Sequence, residues 1–176
     1  MNSKQITFSW LASVVLLAIF AGMSWINLAL TPEAGAQEFE ISGFQIFPII
    51  SALLLLQAAS VLASFLTPEL VGRAISGLLA PIMLAHGLFV FFGLQTSSQD
   101  AVGAQITEIT GVAGFASQEG FVAFAGDTYL WVGYLFAITL NVAVLLIKAL
   151  LETVNPEPRA PKEAFVDEQD LWETQN

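Results

Sequence analysis

Four stretches of this chain are almost free of charge and long enough to cross a bilayer as helices: Phe8 to Leu30, Ile46 to Leu66, Ala74 to Leu94 and Thr128 to Leu150. A hydrocarbon core about 30 Å thick needs about 20 apolar residues, each adding roughly 1.5 Å of helix. The pattern predicts an all-α membrane protein, a four-transmembrane-helix bundle filling residues 1–151, with outer loops at 31–45 and 95–127. The short connection Thr67–Arg73 forces the second and third spans into an antiparallel hairpin. Pro68 helps to end the second span, Pro48 sits harmlessly in its first turn, and Pro81 falls inside the third and is expected to kink it.

Two polar stretches carry a different period. Glu38-Phe39-Glu40-Ile41 alternates strictly and runs into Ser42-Gly43, which predicts a short half-buried strand ending at a turn. Gln105 to Val112 is rich in Thr and Ile and reads as a second strand. The two are expected to pair as a small extracytoplasmic β-ribbon resting on the helix ends, since an isolated two-stranded ribbon is marginal in water. Val112 to Gly126 interleaves glycines with Phe115, Phe121 and Phe124, and its aromatic content predicts packing on the membrane or on a partner.

Small residues recur four apart in every span, as Ala18 and Gly22, Ser60 and Ser64, Ser76 and Ala80, Gly133 and Ala137. Such pairs let helices approach closely in lipid, where hydrophobicity does not drive association. Trp10, Trp25, Tyr129, Trp131 and Tyr134 lie near the span ends, where they are expected to act as depth anchors.

The basic residues orient the bundle. Lys4, Arg73, Lys148, Arg159 and Lys162 all fall on one side of the boundary set by the spans. Lys and Arg accumulate in short cytoplasmic connections, so both termini are expected in the cytoplasm of a multi-pass plasma-membrane protein. The opposite side holds Glu33, Glu38, Glu40, Asp100, Glu108, Glu119 and Asp127 and no basic residue. Lys4 before an apolar run, with Ala34-Gly35-Ala36 beyond it, resembles a secretory signal. The run is longer than a signal core and the small triplet lies past its end, so an uncleaved first span is expected.

Composition narrows the chemistry. Of 176 residues 56% are hydrophobic and 11% charged, with a mean hydropathy of +0.73, far from the usual soluble domain. The net charge of −10 argues against nucleic acid as a partner. With no Cys and a single His, neither a zinc site nor a recognisable haem ligand pair is expected, and no cofactor is predicted. No nucleophile elbow, P-loop, dinucleotide fingerprint or zincin helix occurs, so the expectation is not an enzyme.

Gln57, His86 and Asn141 are the polar side chains near mid-depth of spans two, three and four. They are expected to meet inside the bundle and hold its register by interhelical hydrogen bonds, the alternative being a ligand or proton site with His86 as the titratable member. Lys148, near the inner end of its span, is expected to snorkel to the headgroups. Beyond the spans, residues 152–176 form an acidic cytoplasmic tail. It opens with the Pro-rich stretch Asn155 to Lys162 and closes with Phe165, Leu171 and Trp172 among acidic residues, which makes these three candidate docking positions.

Trp25, the run Phe39-Glu40-Ile41-Ser42-Gly43, Gly72-Arg73 followed by Gly77-Leu78-Leu79-Ala80, and Asp170-Leu171-Trp172-Glu173 occur in this order along the four-span topology. Together they resemble the tryptophan-associated (Trp-operon-associated) transmembrane protein family of actinobacteria. That resemblance implies a plasma-membrane protein of unassigned activity. The expected function is a non-enzymatic accessory or scaffold subunit of a larger membrane complex, with the lipid bilayer and either membrane-protein partners or a homo-oligomer as its contacts. The alternative is a small-molecule binding or transport component, related to an aromatic metabolite if the family name is informative. Half of a familiar inverted-repeat transporter would fit in four spans, so transport would need further copies or a partner.

Overall fold

The computed structural model describes residues 3–151, and Phe165, Leu171 and Trp172 lie outside them. Six helices and three strands follow in the order α1 (Ser3–Gly22), β1 (Ser24–Leu30), β2 (Glu38–Ser42), α2 (Gly43–Ile46), α3 (Ile49–Leu66), α4 (Glu69–Thr110), α5 (Phe115–Gln118), β3 (Val122–Asp127) and α6 (Leu130–Leu151). Among the described residues, four helices are long and apolar enough to cross a membrane: α1, α3, α4 and α6.

The first apolar run divides. Its helix stops at Gly22, and Ser24–Leu30 becomes the central strand of a three-stranded antiparallel sheet ordered β2-β1-β3. A continuous apolar run does not distinguish a helix from a buried strand, which is why the expected span extended to Leu30. Glu38–Ser42 forms the anticipated strand, with Ile41 buried and Glu38 and Glu40 exposed. Charged side chains on such an edge discourage pairing with other chains.

Gln105–Val112 is not a strand. Gln105–Thr110 extend α4, which runs unbroken over 42 residues, roughly 63 Å at about 1.5 Å each and about twice the thickness of a hydrocarbon core. Val102, Ile106 and Ile109 share one helical face and pack on the core, so their spacing of four and three outweighs β propensity. Elongating an existing helix also avoids a new nucleus. The Thr107 and Thr110 hydroxyls donate to the carbonyls of Gly103 and Ile106 one turn earlier, and Gly111 ends the helix in the left-handed conformation with φ 70°. The third strand comes instead from Val122–Asp127, which pairs with β1 on the side opposite β2.

Trp25 links sheet and bundle. Ser24 pairs with Ser42 and Ile26 with Ile41, so Trp25 is the extra residue of a β-bulge. The bulge turns its indole into the core, where it is 1% exposed and lies 5.4 Å from the Tyr134 ring and 6.2 Å from Phe47, centroid to centroid. Its Nε1 donates to the Phe20 carbonyl at 2.8 Å, satisfying one of the orphan acceptors at the end of α1. The helices close up through small residues: Ser76, Ala80 and Ala137 are buried, and Gly87 lies so near Ile138 that a Cβ there would come within 3.1 Å of its Cγ2. Trp10, Trp25 and Tyr134 are therefore core residues rather than depth anchors, whereas Tyr129 is exposed.

Candidate functional site

Gln57 and Asn141 meet as expected, but His86 does not join them. Trp10 Nε1 donates to Gln57 Oε1 at 2.6 Å, and Gln57 Nε2 donates to Asn141 Oδ1 at 2.8 Å. Asn141 Nδ2 reaches Ser13 Oγ at 2.9 Å, and that hydroxyl donates to the Trp10 carbonyl at 2.7 Å. All four side chains are buried. The network therefore ties α1, α3 and α6 together and uses its donors and acceptors internally, which is how polar groups are tolerated away from water. Trp10 and Ser13 carried no sequence signal beyond their place on the first span.

His86 stands on α4 and reaches α6 instead, its Nε2 3.0 Å from the Tyr134 hydroxyl. It thereby joins the fourth helix of the bundle to the other three. Lys148 does not snorkel. It is 2% exposed, with Nζ donating to Thr7 Oγ1 at 2.7 Å and Ser64 Oγ at 2.8 Å and lying 5.2 Å from the Trp10 ring centroid. The hydroxyls and the indole face replace water around the ammonium.

A cavity of about 790 Å³ opens at the sheet end, within the size range of small-molecule sites. It lies between the second half of α4, the sheet and the first turn of α6. Its wall along α4 is apolar at Phe91, Phe92 and Leu94, polar at Gln95, Ser98 and Gln99, and apolar again at Val102 and Ile106. Trp25 and Ile46 add to the apolar lining, and Trp131, Glu119 and Asp127 also border the cavity. The Asp127 carboxylate fixes the start of α6, accepting from the Tyr129 amide at 2.7 Å and from Trp131 Nε1 at 3.0 Å. These contacts hold Tyr129 at a positive φ of 58°, a conformation uncommon for a bulky side chain.

Gln118 fastens the segment that covers this end of α4. It is 3% exposed, and its Nε2 lies within hydrogen-bonding distance of the Gly103 carbonyl, Thr107 Oγ1 and the Val112 carbonyl at 2.8–3.0 Å. A smaller cavity of about 320 Å³ adjoins it, bordered by Asp100 and Thr107. Gln118→Ala would remove the donor that ties these groups to the segment, leaving Thr107 Oγ1 as the donor to the Gly103 and Val112 carbonyls, at a cost of about 1 kcal/mol. Faster amide exchange confined to residues 111–121 is the expected result; unchanged exchange there would show that Gln118 does not fasten the segment.

Among the described residues no three His, Asp or Glu side chains converge to hold a metal ion. No family model, curated protein or solved structure matches this chain.

Proposed function

We propose that this chain is a non-enzymatic plasma-membrane protein that holds a small molecule in the cavity at its sheet end and works as an accessory subunit of a larger membrane assembly. The observation that carries this reading is the cavity itself, beside a bundle whose mid-depth polar groups are engaged with one another. A four-span bundle with that interior is better suited to capture than to conduction, so the captured molecule is passed to, or sensed by, a partner. The resemblance to tryptophan-associated membrane proteins agrees with a plasma-membrane location and adds no activity.

The test is native mass spectrometry of protein released gently from its own membranes. A discrete non-protein mass is expected on the chain, and it should vanish from a variant carrying Ser98→Phe and Val102→Phe, two cavity-lining positions one turn apart on α4. A bare chain, or the same mass on both proteins, would remove the proposal.

In this reading the sheet end lies outside the cell, because the connections there hold acidic residues and no Lys or Arg. The chain has no cysteine, so single-cysteine labelling has no background. Glu33→Cys should react with a membrane-impermeant maleimide on intact cells, and Leu70→Cys only after permeabilisation. The reverse pattern would invert the topology.

A further inference from the structure

The wall of the cavity states what kind of molecule it takes. We propose that its ligand is a cationic amphiphile, an alkyl or isoprenoid chain bearing an amine or quaternary ammonium head, which enters from the outer leaflet. This deepens the reading above and rests on it.

Three observations converge. First, Phe91 and Phe92 line the cavity and are also 57% and 78% exposed on the helix that leads down into the apolar span. The apolar end of the cavity is therefore continuous with the surface that faces lipid tails, and a chain dissolved in the leaflet reaches it without crossing water. Second, the cavity also carries a polar band and two carboxylates, set among Val102, Ile106 and Val122. Gln95, Ser98 and Gln99 supply amide and hydroxyl groups, while Glu119 and Asp127 supply the charge. Residues 24–46 and 95–129, which hold the sheet end together, contain seven carboxylates and no Lys or Arg. These carboxylates disfavour an anionic head, whereas a cation is attracted over a Debye length of roughly 8 Å. Third, Trp131 borders the same space, and an indole face attracts organic cations further. The Asp127 carboxylate already holds Trp131 Nε1, so the ring is fixed in place before any ligand arrives.

The experiment uses the full chain in nanodiscs of dioleoylphosphatidylcholine, with three tail-brominated probes of one chain length: a dodecyl trimethylammonium, a dodecyl phosphate and a dodecyl maltoside. Bromine quenches tryptophan on contact, and the saturable quenching that Ser98→Phe with Val102→Phe abolishes reports the cavity. The trimethylammonium probe is expected to bind about tenfold more tightly than the phosphate, with the maltoside between them. Glu119→Gln, a change at an exposed position, should weaken the cation about threefold and leave the maltoside unchanged. Glu119→Lys should reverse the order of cation and phosphate.

Equal binding of all three probes would overturn the charge assignment and leave small-molecule capture standing. Displacement by tetramethylammonium as effective as by its long-chain homologue would mark a site for soluble cations and overturn entry from the leaflet. Absence of saturable quenching by any probe would overturn this inference; a discrete native mass on the same protein would still support capture of a different ligand.

Discussion

Replacing Asn141 with Leu is expected to destabilise the bundle by about 1–3 kcal/mol, a large effect for one polar side chain among apolar helices. Intramembrane hydrogen bonds average only about 0.6 kcal/mol, because a helix dispersed in lipid finds other partners. Asn141 departs from that average because it stands at a junction. It accepts from Gln57 Nε2 and donates to Ser13 Oγ, and it is fully buried, so its loss leaves an amide donor of Gln57 stranded where water does not reach. Gln57→Leu should cost a similar amount by stranding Trp10 Nε1 and the Asn141 amide. The double variant is the sharper measurement: with both amides gone there is less left unpaired, and its cost should fall short of the sum by about 1 kcal/mol. Heat or SDS unfolding in mild detergent reads all three. Strict additivity would mean that the two amides act independently.

The second large effect is expected at Gly43. A Cβ there would lie 2.6 Å from Cε2 and Cζ2 of Trp25 and 3.0 Å from the Ala21 carbonyl oxygen. The indole does not swing aside, because its nitrogen is bonded to Phe20 and Phe47 and Tyr134 pack against its ring. Gly43→Ala should therefore cost about 1–3 kcal/mol by overpacking, and Gly43→Val more. The same Gly43→Ala change should cost less in a Trp25→Phe background, where the ring atoms it strikes are missing. An equal penalty in both backgrounds would place the strain elsewhere than on the indole.

Much of the architecture was legible because an uncharged apolar run of about 20 residues has few ways to fold. Four long apolar runs yield four long apolar helices, and the alternation at Glu38–Ile41 yields a strand, since each pattern has a single period. Legibility failed where two elements share one pattern. Ser24–Leu30 is as apolar as the helix before it, and only the partners on either side, β2 and β3, make it a strand. Gln105–Thr110 is the converse: Thr and Ile favour strands in general, yet Val102, Ile106 and Ile109 had already set a helical face. Of the polar residues, the pairing of Gln57 with Asn141 followed from depth counting. The separation of His86 did not, because depth says nothing about which way a helix is rotated. Lys148 read as a snorkelling residue because its two hydroxyl partners, Thr7 and Ser64, are 141 and 84 positions away in sequence. The cavity left no mark of its own, being made by α4 continuing past the point where its apolar run ends.

The network that joins α1 to α6 also sets the order of events in the life of the chain. Ser13 is bonded to Asn141 across 128 positions and Thr7 to Lys148 across 141, and the central strand receives its second neighbour only from Val122–Asp127. The first helix must therefore wait, its Thr7 and Ser13 not yet bonded to α6, until that helix has been synthesised. Release of a finished molecule and closure of its polar core become one event. A chain truncated before α6 would lack the Asn141 amide that Ser13 and Gln57 meet in the finished molecule.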